Sequence, residues 1–208
     1  MHMKRQTTKK SWPISRKGTK YIVVASHQKK QGIPLLVVLR DILKLVRNER
    51  EARDSLNSGK IIINSRIRKD KKFPVLPFDI LTLGGKNYQL IFSNKGKFEI
   101  KETHEKNKIY KVIGKKILKN KKVQLNLIHG DNILLTENKK IKIGDSIIIK
   151  DKKIAEIIPF EKGRDAIILS GKNIGRKGKI ENIENAKVII SAENKKINVP
   201  IKNILVVK

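Results

Sequence analysis

The side chains best suited to catalysis or metal binding are few here: four histidines, at positions 2, 27, 104 and 129, and no cysteine. No His-x-x-x-His or His-Glu-x-x-His spacing occurs, so no two histidines share a helix face around a metal ion. Without cysteine, disulfides, thiolate metal sites and Cys nucleophiles are excluded. His129-Gly130-Asp131 is the one suggestive cluster, and it reads as a turn joining two strands. The loop Gly171 to Lys179 has the glycines and cations of a phosphate cradle. It lacks the Gly-Lys-Ser/Thr ending, however, and a strand rather than a helix should follow it. No enzyme, metal site, cofactor or small-molecule substrate is expected.

What the chain has in excess is positive charge. In 208 residues, 49 Lys and Arg face 19 Asp and Glu, a net +30. A compact protein at that charge repels itself, and a polyanion relieves the repulsion. RNA, DNA and an anionic membrane are the choices. No apolar run approaches the roughly 20 residues that span a bilayer. Met1 to Lys20 also lacks the apolar core of a secretion signal. A cytoplasmic, nucleic-acid-binding protein without a membrane partner is expected.

The candidate RNA-binding residues fall into four groups. Lys4, Arg5, Lys9, Lys10, Arg16 and Lys17 surround Trp12 in a basic N-terminal stretch. Arg40, Lys44 and Arg47 lie in one helical pattern, and Arg50 and Arg53 one turn apart in the next. Arg66 and Arg68 open a basic run, and Lys172, Arg176 and Lys177 accompany Gly171, Gly175 and Gly178 in a late loop. Arginine suits this work because its planar fork meets phosphate oxygens bidentately.

The elements that must carry these residues are α+β, mostly β, in several small modules. Residues 1–33 read as a basic extension in which only Tyr21 to Val24 can form a strand. The stretch is either a disordered tail or an arm that orders on RNA with Trp12 as its anchor. In 34–83, Leu35, Leu39, Ile42, Leu43 and Val46 form an apolar stripe at helical spacing, with Pro34 at the first turn. Asn48 caps a second helix, Glu51 reaches back to the Asn48 amide, Ala52 and Leu56 face inward, and Gly59 ends it. Strands follow at Lys60 to Ile63, Arg66 to Lys69 and Asp79 to Leu83.

Residues 84–166 are expected as a central β domain. Its strands are Tyr88 to Phe92, Lys97 to Lys101, Lys108 to Ile113, Val123 to Leu127, Ile133 to Thr136 and Ile147 to Lys150. Residues 167–208 hold five more: Ala166 to Leu169, Gly178 to Ile183, Lys187 to Ser191, Lys196 to Val199 and Ile204 to Val207. Five short strands with basic, Gly-rich turns predict a small SH3-like barrel.

Two segments resemble known RNA-binding modules. Residues 35–83, through Ala52-Arg53, Gly59, Ile63-Asn64 and Pro77-Phe78-Asp79-Ile80, are similar to the two-helix motif of bacterial ribosomal protein four, pseudouridine synthases and tyrosyl-tRNA synthetases. Here Asn64-Ser65 replaces the usual Asn-Gly turn, Phe78 stands where Gly is frequent, and the Arg-Leu-Asp that often opens the first helix is absent. Residues 167–183, through Gly171, Gly175 and Gly178, resemble the KOW element of ribosomal proteins and elongation factors.

The order of segments is more specific than either motif. His2-Met3-Lys4-Arg5, Trp12-Pro13, Pro34-Leu35-Leu36, Leu39-Arg40, Asn94-Lys95-Gly96-Lys97-Phe98 and then the KOW loop resemble one family along essentially the whole chain. It is the archaeal and eukaryotic small-subunit ribosomal protein four, the "four-e" type, and the short C-terminus matches its archaeal form. The resemblance implies a structural component of the small ribosomal subunit, with rRNA and neighbouring ribosomal proteins as partners. The alternatives are a KOW-containing transcription-elongation or RNA-chaperone factor and an RNA-modifying enzyme.

Overall fold

Among the described residues, backbone hydrogen bonds join the strands into three five-stranded antiparallel sheets and two two-stranded ones. The computed structural model describes residues 2–29, 31–104, 107–118, 122–135, 141–150, 153–184, 186–192 and 195–207. Thr136, named above as the end of a strand, lies outside them. Contacts divide the chain into two compact units, Met1–Ser93 with Lys97–Lys108 and Asn94–Gly96 with Ile109–Lys208.

The first unit begins with a hairpin of β1 (His2–Lys4) and β2 (Tyr21–Val23). β3 (Ile33–Pro34) pairs with β6 (Pro74–Val75). The sheet order is β5-β4-β7-β8-β9, from β4 (Ile61–Ile63), β5 (Arg66–Ile67), β7 (Ile80–Leu83), β8 (Lys86–Phe92) and β9 (Phe98–Thr103). The N-terminal stretch is built into this unit and is not a tail. Trp12, Ile22, Val24 and Ala25 are buried, and the Phe98 amide donates to the Ser11 carbonyl at 2.8 Å. An extension too polar to fold alone becomes ordered once its few apolar residues enter a larger core.

The first helix is shorter than its stripe. α1 (Leu35–Val37) runs into a single π-type turn, Val38–Ile42, closed by the Leu43 amide on the Val38 carbonyl. Lys44 takes a left-handed φ of 54°, and the chain leaves the helix there. Arg47 therefore lies beyond the helix and shares no helical face with Arg40. Leu35, Leu36, Val37 and Val38 are all fully buried, so this segment has no polar side to reveal its period. α2 (Glu49–Asn57) behaves as its sequence predicts: Asn48 Oδ1 accepts the Glu51 amide at 2.9 Å, Ala52 and Leu56 are buried, and Gly59 follows at φ 71°. Glu51 reaches back one residue further than expected, accepting the Arg47 amide at 2.7 Å.

A buried carboxylate fixes the turns of this unit. Asp79, 1% exposed, accepts the Leu76 amide at 2.7 Å, Asn64 Nδ2 at 2.8 Å and Lys108 Nζ at 2.6 Å. Asn64 Oδ1 in turn accepts the Ile80 amide at 3.0 Å. Asn64 and Ser65 both have positive φ, the geometry of a two-residue hairpin turn, so Ser65 fills a position better suited to glycine. Phe78 precedes Asp79 at φ 66°.

In the second unit β10 (Ile109–Ile117), β11 (Val123–Leu127), β12 (Asn132–Leu135), β13 (Ser146–Lys150) and β14 (Lys153–Ile158) pair as β12-β11-β10-β13-β14. β14 was not expected, because Lys153, Ala155 and Glu156 dilute its apolar alternation. The other sheet, β18-β17-β16-β15-β19, comprises β15 (Asp165–Ile168), β16 (Lys177–Glu184), β17 (Lys187–Ala192), β18 (Lys195–Pro200) and β19 (Ile204–Val206). β18 and β19 end the pairing order, and among the described residues no pairing closes the sheet into a barrel.

The turn at Gly144-Asp145 repeats the geometry of the first unit. Gly144 is at φ 103°, and buried Asp145 accepts the Lys142 amide at 2.8 Å and the Phe160 amide at 2.9 Å. Lys111 of β10 is 3% exposed and donates to the carbonyls of Ile201 and Ile204, tying the two sheets of this unit together.

Removing either buried carboxylate strands its amide donors, and in the first unit it also takes from the Lys108 ammonium its buried ion pair. Asp79→Ala should destabilise the protein by roughly 3 kcal/mol or more in urea denaturation. Exposed Glu161→Ala should stay within about 0.5 kcal/mol of wild type, and equal effects would contradict this role for Asp79. Burial lowers the Lys111 pKa to about 8 from 10.5. Between those values the unfolded chain holds the proton and the folded chain does not, so stability contributed here rises with pH. Wild type should gain on Lys111→Met across that window; parallel pH profiles would contradict it.

Candidate nucleic-acid interface

The N-terminal cations surround a cleft of about 450 Å³ lined by Lys4, Arg5, Gln6, Arg16, Lys17, Gly18, Thr19 and Lys20. Arg5 builds this cleft from within. Its Nε donates to the Thr19 carbonyl at 2.8 Å, Nη1 to the Ser15 carbonyl at 2.9 Å and Nη2 to Thr19 Oγ1 at 2.8 Å. The guanidinium thus clamps the loop 15–19, while Lys4, Arg16 and Lys17 are exposed around it. Lys9 and Lys10 are exposed in the preceding turn, and Trp12, 5% exposed, packs inside and has no open ring face for stacking.

The helical cations divide into two kinds. Arg40 makes two 2.9 Å bonds to Asp41, whose carboxylate raises the arginine pKa against the opposing effect of burial. Arg53 meets Glu49 at 3.1 Å, and Lys71 also bonds Glu49. The Lys71 hydrogen bond first, with a further contribution from Arg53, holds the Glu49 carboxyl below the usual range despite some desolvation. Lys44, Arg47 and Arg50 are exposed between and at the start of the helical segments. Arg40, Lys44 and Arg47 therefore do not share a face of the first helix, and on α2 Arg50 is exposed while Arg53 is paired.

Arg66 is exposed on β5, whereas the guanidinium of Arg68 lies 4.3 Å from the Phe73 ring centre. In the late loop, Gly171 and Gly175 adopt φ 102° and 85°. The Ile174 amide donates to Gly171, the Gly175 amide to Ile168 and the Arg176 amide to Asn173. The loop backbone is therefore turned on itself, and Lys172 and Lys177 are its exposed cations. Gly178 has a different task from that expected of it. A Cβ there would lie 2.2 Å from the Ser191 carbonyl oxygen, so it lets β16 and β17 approach each other and not a ligand.

Charge and spacing alone do not mark out Tyr21, Lys108 and Lys111. The last two are interior cations that composition counts with the surface ones; the signal was their setting, Lys108-Ile109-Tyr110-Lys111-Val112, in a buried strand. His129 sits in a turn at φ 70°. Among the described residues no group of three His, Cys, Asp or Glu could hold a metal, and no helix is long and apolar enough to cross a membrane.

Comparison with known proteins gives one family. Residues 84–154 match the model of "Ribosomal family S4e". The chain is 38% identical over 189 residues to small ribosomal subunit protein eS4 of Archaeoglobus fulgidus, covering 88% of this chain and 80% of that one. It is 34% identical over 211 residues to the eS4 of Methanocaldococcus jannaschii, covering 93% and 86%. The crystal structure of 30S ribosomal protein S4e from Thermoplasma acidophilum superposes with a TM-score of 0.72 at 27% identity, over 85% of this chain and 95% of that one. With that identity sustained over nearly its whole length, the chain belongs to the S4e family of ribosomal proteins.

Proposed function

We propose that this protein is a non-enzymatic structural constituent of the small ribosomal subunit, in the cytoplasm, holding rRNA by phosphate and shape contacts beside neighbouring ribosomal proteins. The observation that carries the reading is the family likeness over 93% of the chain in the M. jannaschii comparison. The net +30 charge supplies its physical motive. Double-stranded RNA keeps its base edges in a deep, narrow groove, so side chains meet phosphates and 2′-hydroxyls. Exposed Lys4, Lys9, Lys10, Arg16, Lys17, Lys44, Arg47, Arg50, Arg66, Lys172 and Lys177 are the proposed contacts. Arg5, Arg40, Arg53 and Arg68, whose guanidinium groups are engaged within the protein, and half-buried Arg176 are proposed to support them.

The finer modules belong to the same proposal. α2 with the preceding helical segment and the Asn64-Ser65 hairpin act as a two-helix RNA-binding motif. The sheet β15–β19 acts as a KOW, SH3-like module whose 169–176 loop faces RNA. The segments 1–33, 34–83, 84–166 and 167–208 each contribute one stretch of contact.

In lysate the protein should sediment with the small subunit and stay there through a high-salt wash; recovery only in the free fraction would contradict the proposal. RNA affinity of the isolated protein should fall steeply with salt, by about 0.7 to 0.9 in logarithmic slope per neutralised phosphate. Arg47→Ala with Arg50→Ala should flatten that slope more than Arg40→Ala with Arg53→Ala, whose guanidinium groups already hold carboxylates. Identical slopes in all three proteins would place these residues outside the interface.

A further inference from the structure

The β1–β2 hairpin carries an exposed aromatic ring at the edge of the basic cleft, and the proposed phosphate and shape contacts do not use it. Lys4 pairs with Tyr21 and His2 with Val23 across the ladder, so these side chains share one face. Met3 and Ile22 take the other face, where Ile22 is 4% exposed. Tyr21 by contrast is 46% exposed. The His2 ring meets it edge-on, with centroids 4.5 Å apart at 66°, and Lys20 Nζ lies 5.5 Å from its centre.

The neighbouring cleft is rigidly framed. The Arg5 clamp on Ser15 and Thr19 fixes its wall, and Gly18 supplies the positive φ of 134° that the clamped loop adopts. Every ionisable side chain lining the cleft is a cation, and its 450 Å³ lies within the range of small-ligand sites. A cationic groove beside an aromatic platform is the arrangement that holds a single strand, backbone in the groove and base on the ring. A duplex could use the cations but not Tyr21, because its bases are already stacked. An acidic peptide would likewise leave the ring idle.

We propose that this hairpin holds one unpaired nucleotide of an RNA strand, its phosphate in the cleft among Lys4, Arg16, Lys17 and Lys20 and its base stacked on Tyr21. The inference rests on RNA being the partner, and adds that here the contact is to a splayed-out base and not to a helix.

The test uses the full chain and a short single-stranded oligoribonucleotide carrying 2-aminopurine, whose fluorescence falls on stacking, with a perfect duplex of equal length as control. Wild type and Tyr21→Phe should quench the probe and bind it alike. Tyr21→Leu should lose the quench and bind the single strand at least about 5-fold more weakly, with duplex affinity and thermal midpoint unchanged. Undiminished quenching and affinity in Tyr21→Leu would overturn the proposal, as would poly-glutamate binding as tightly as the single strand. Duplex binding without any quench by wild type would remove the nucleotide site and leave the RNA reading intact; failure to bind either RNA would remove both.

Discussion

Two carboxylates, Asp79 and Asp145, hold the turns on which both units are built, and they do so by being taken out of water. Each accepts the backbone amide three residues before it, and each follows a residue held in the left-handed region, Phe78 in one case and Gly144 in the other. A buried carboxylate is tolerable only when donors satisfy it. Asp79 finds them in Asn64 and Lys108, and Asp145 in the Phe160 amide, across 15 residues or more. The local turn and the long-range closure of the sheet are thus one interaction.

This use of acids shapes the outside. The chain has 19 carboxylates against 49 cations; among the described residues Asp79 and Asp145 go to the interior, Asp41 and Glu49 neutralise particular arginines and a lysine, and Glu51 caps the start of a helix. What remains at the surface is dominated by Lys and Arg. The cations are not equivalent, however. Lys108 and Lys111 are internal donors, Arg5 is a clamp, and Arg68 covers a phenylalanine ring. A count of charge therefore overstates the number of cations without a partner inside the protein.

How much the sequence disclosed follows from how visible each burial pattern is. Strands such as Val123–Leu127, buried on alternate residues, were readable to the residue. Gly59 and the Asn48 cap were equally plain, because both satisfy local backbone groups. The segment from Leu35 was misjudged in length because it is buried on every side and closes in a π-type turn that no period announces. β1 was missed because His2–Lys4 has no apolar run of its own and is a strand only through its pairing with Tyr21–Val23. Trp12, expected as the anchor of an arm that orders on RNA, is buried within the first unit, a setting that an isolated tryptophan in a basic stretch does not announce. Pro77-Phe78-Asp79-Ile80 and Asn64, singled out as parts of an RNA-binding motif, are joined by hydrogen bonds that organise the fold.

The most direct measurement is a density map of the assembled small subunit containing this chain. Phosphate oxygens should stand within hydrogen-bonding distance of exposed cations on separate surfaces, among them Arg16 and Lys17, Arg47 and Arg50, and Lys172 and Lys177. If those side chains point into open solvent, with no RNA beside them, the positive surface has another purpose and the proposed role in rRNA binding is wrong.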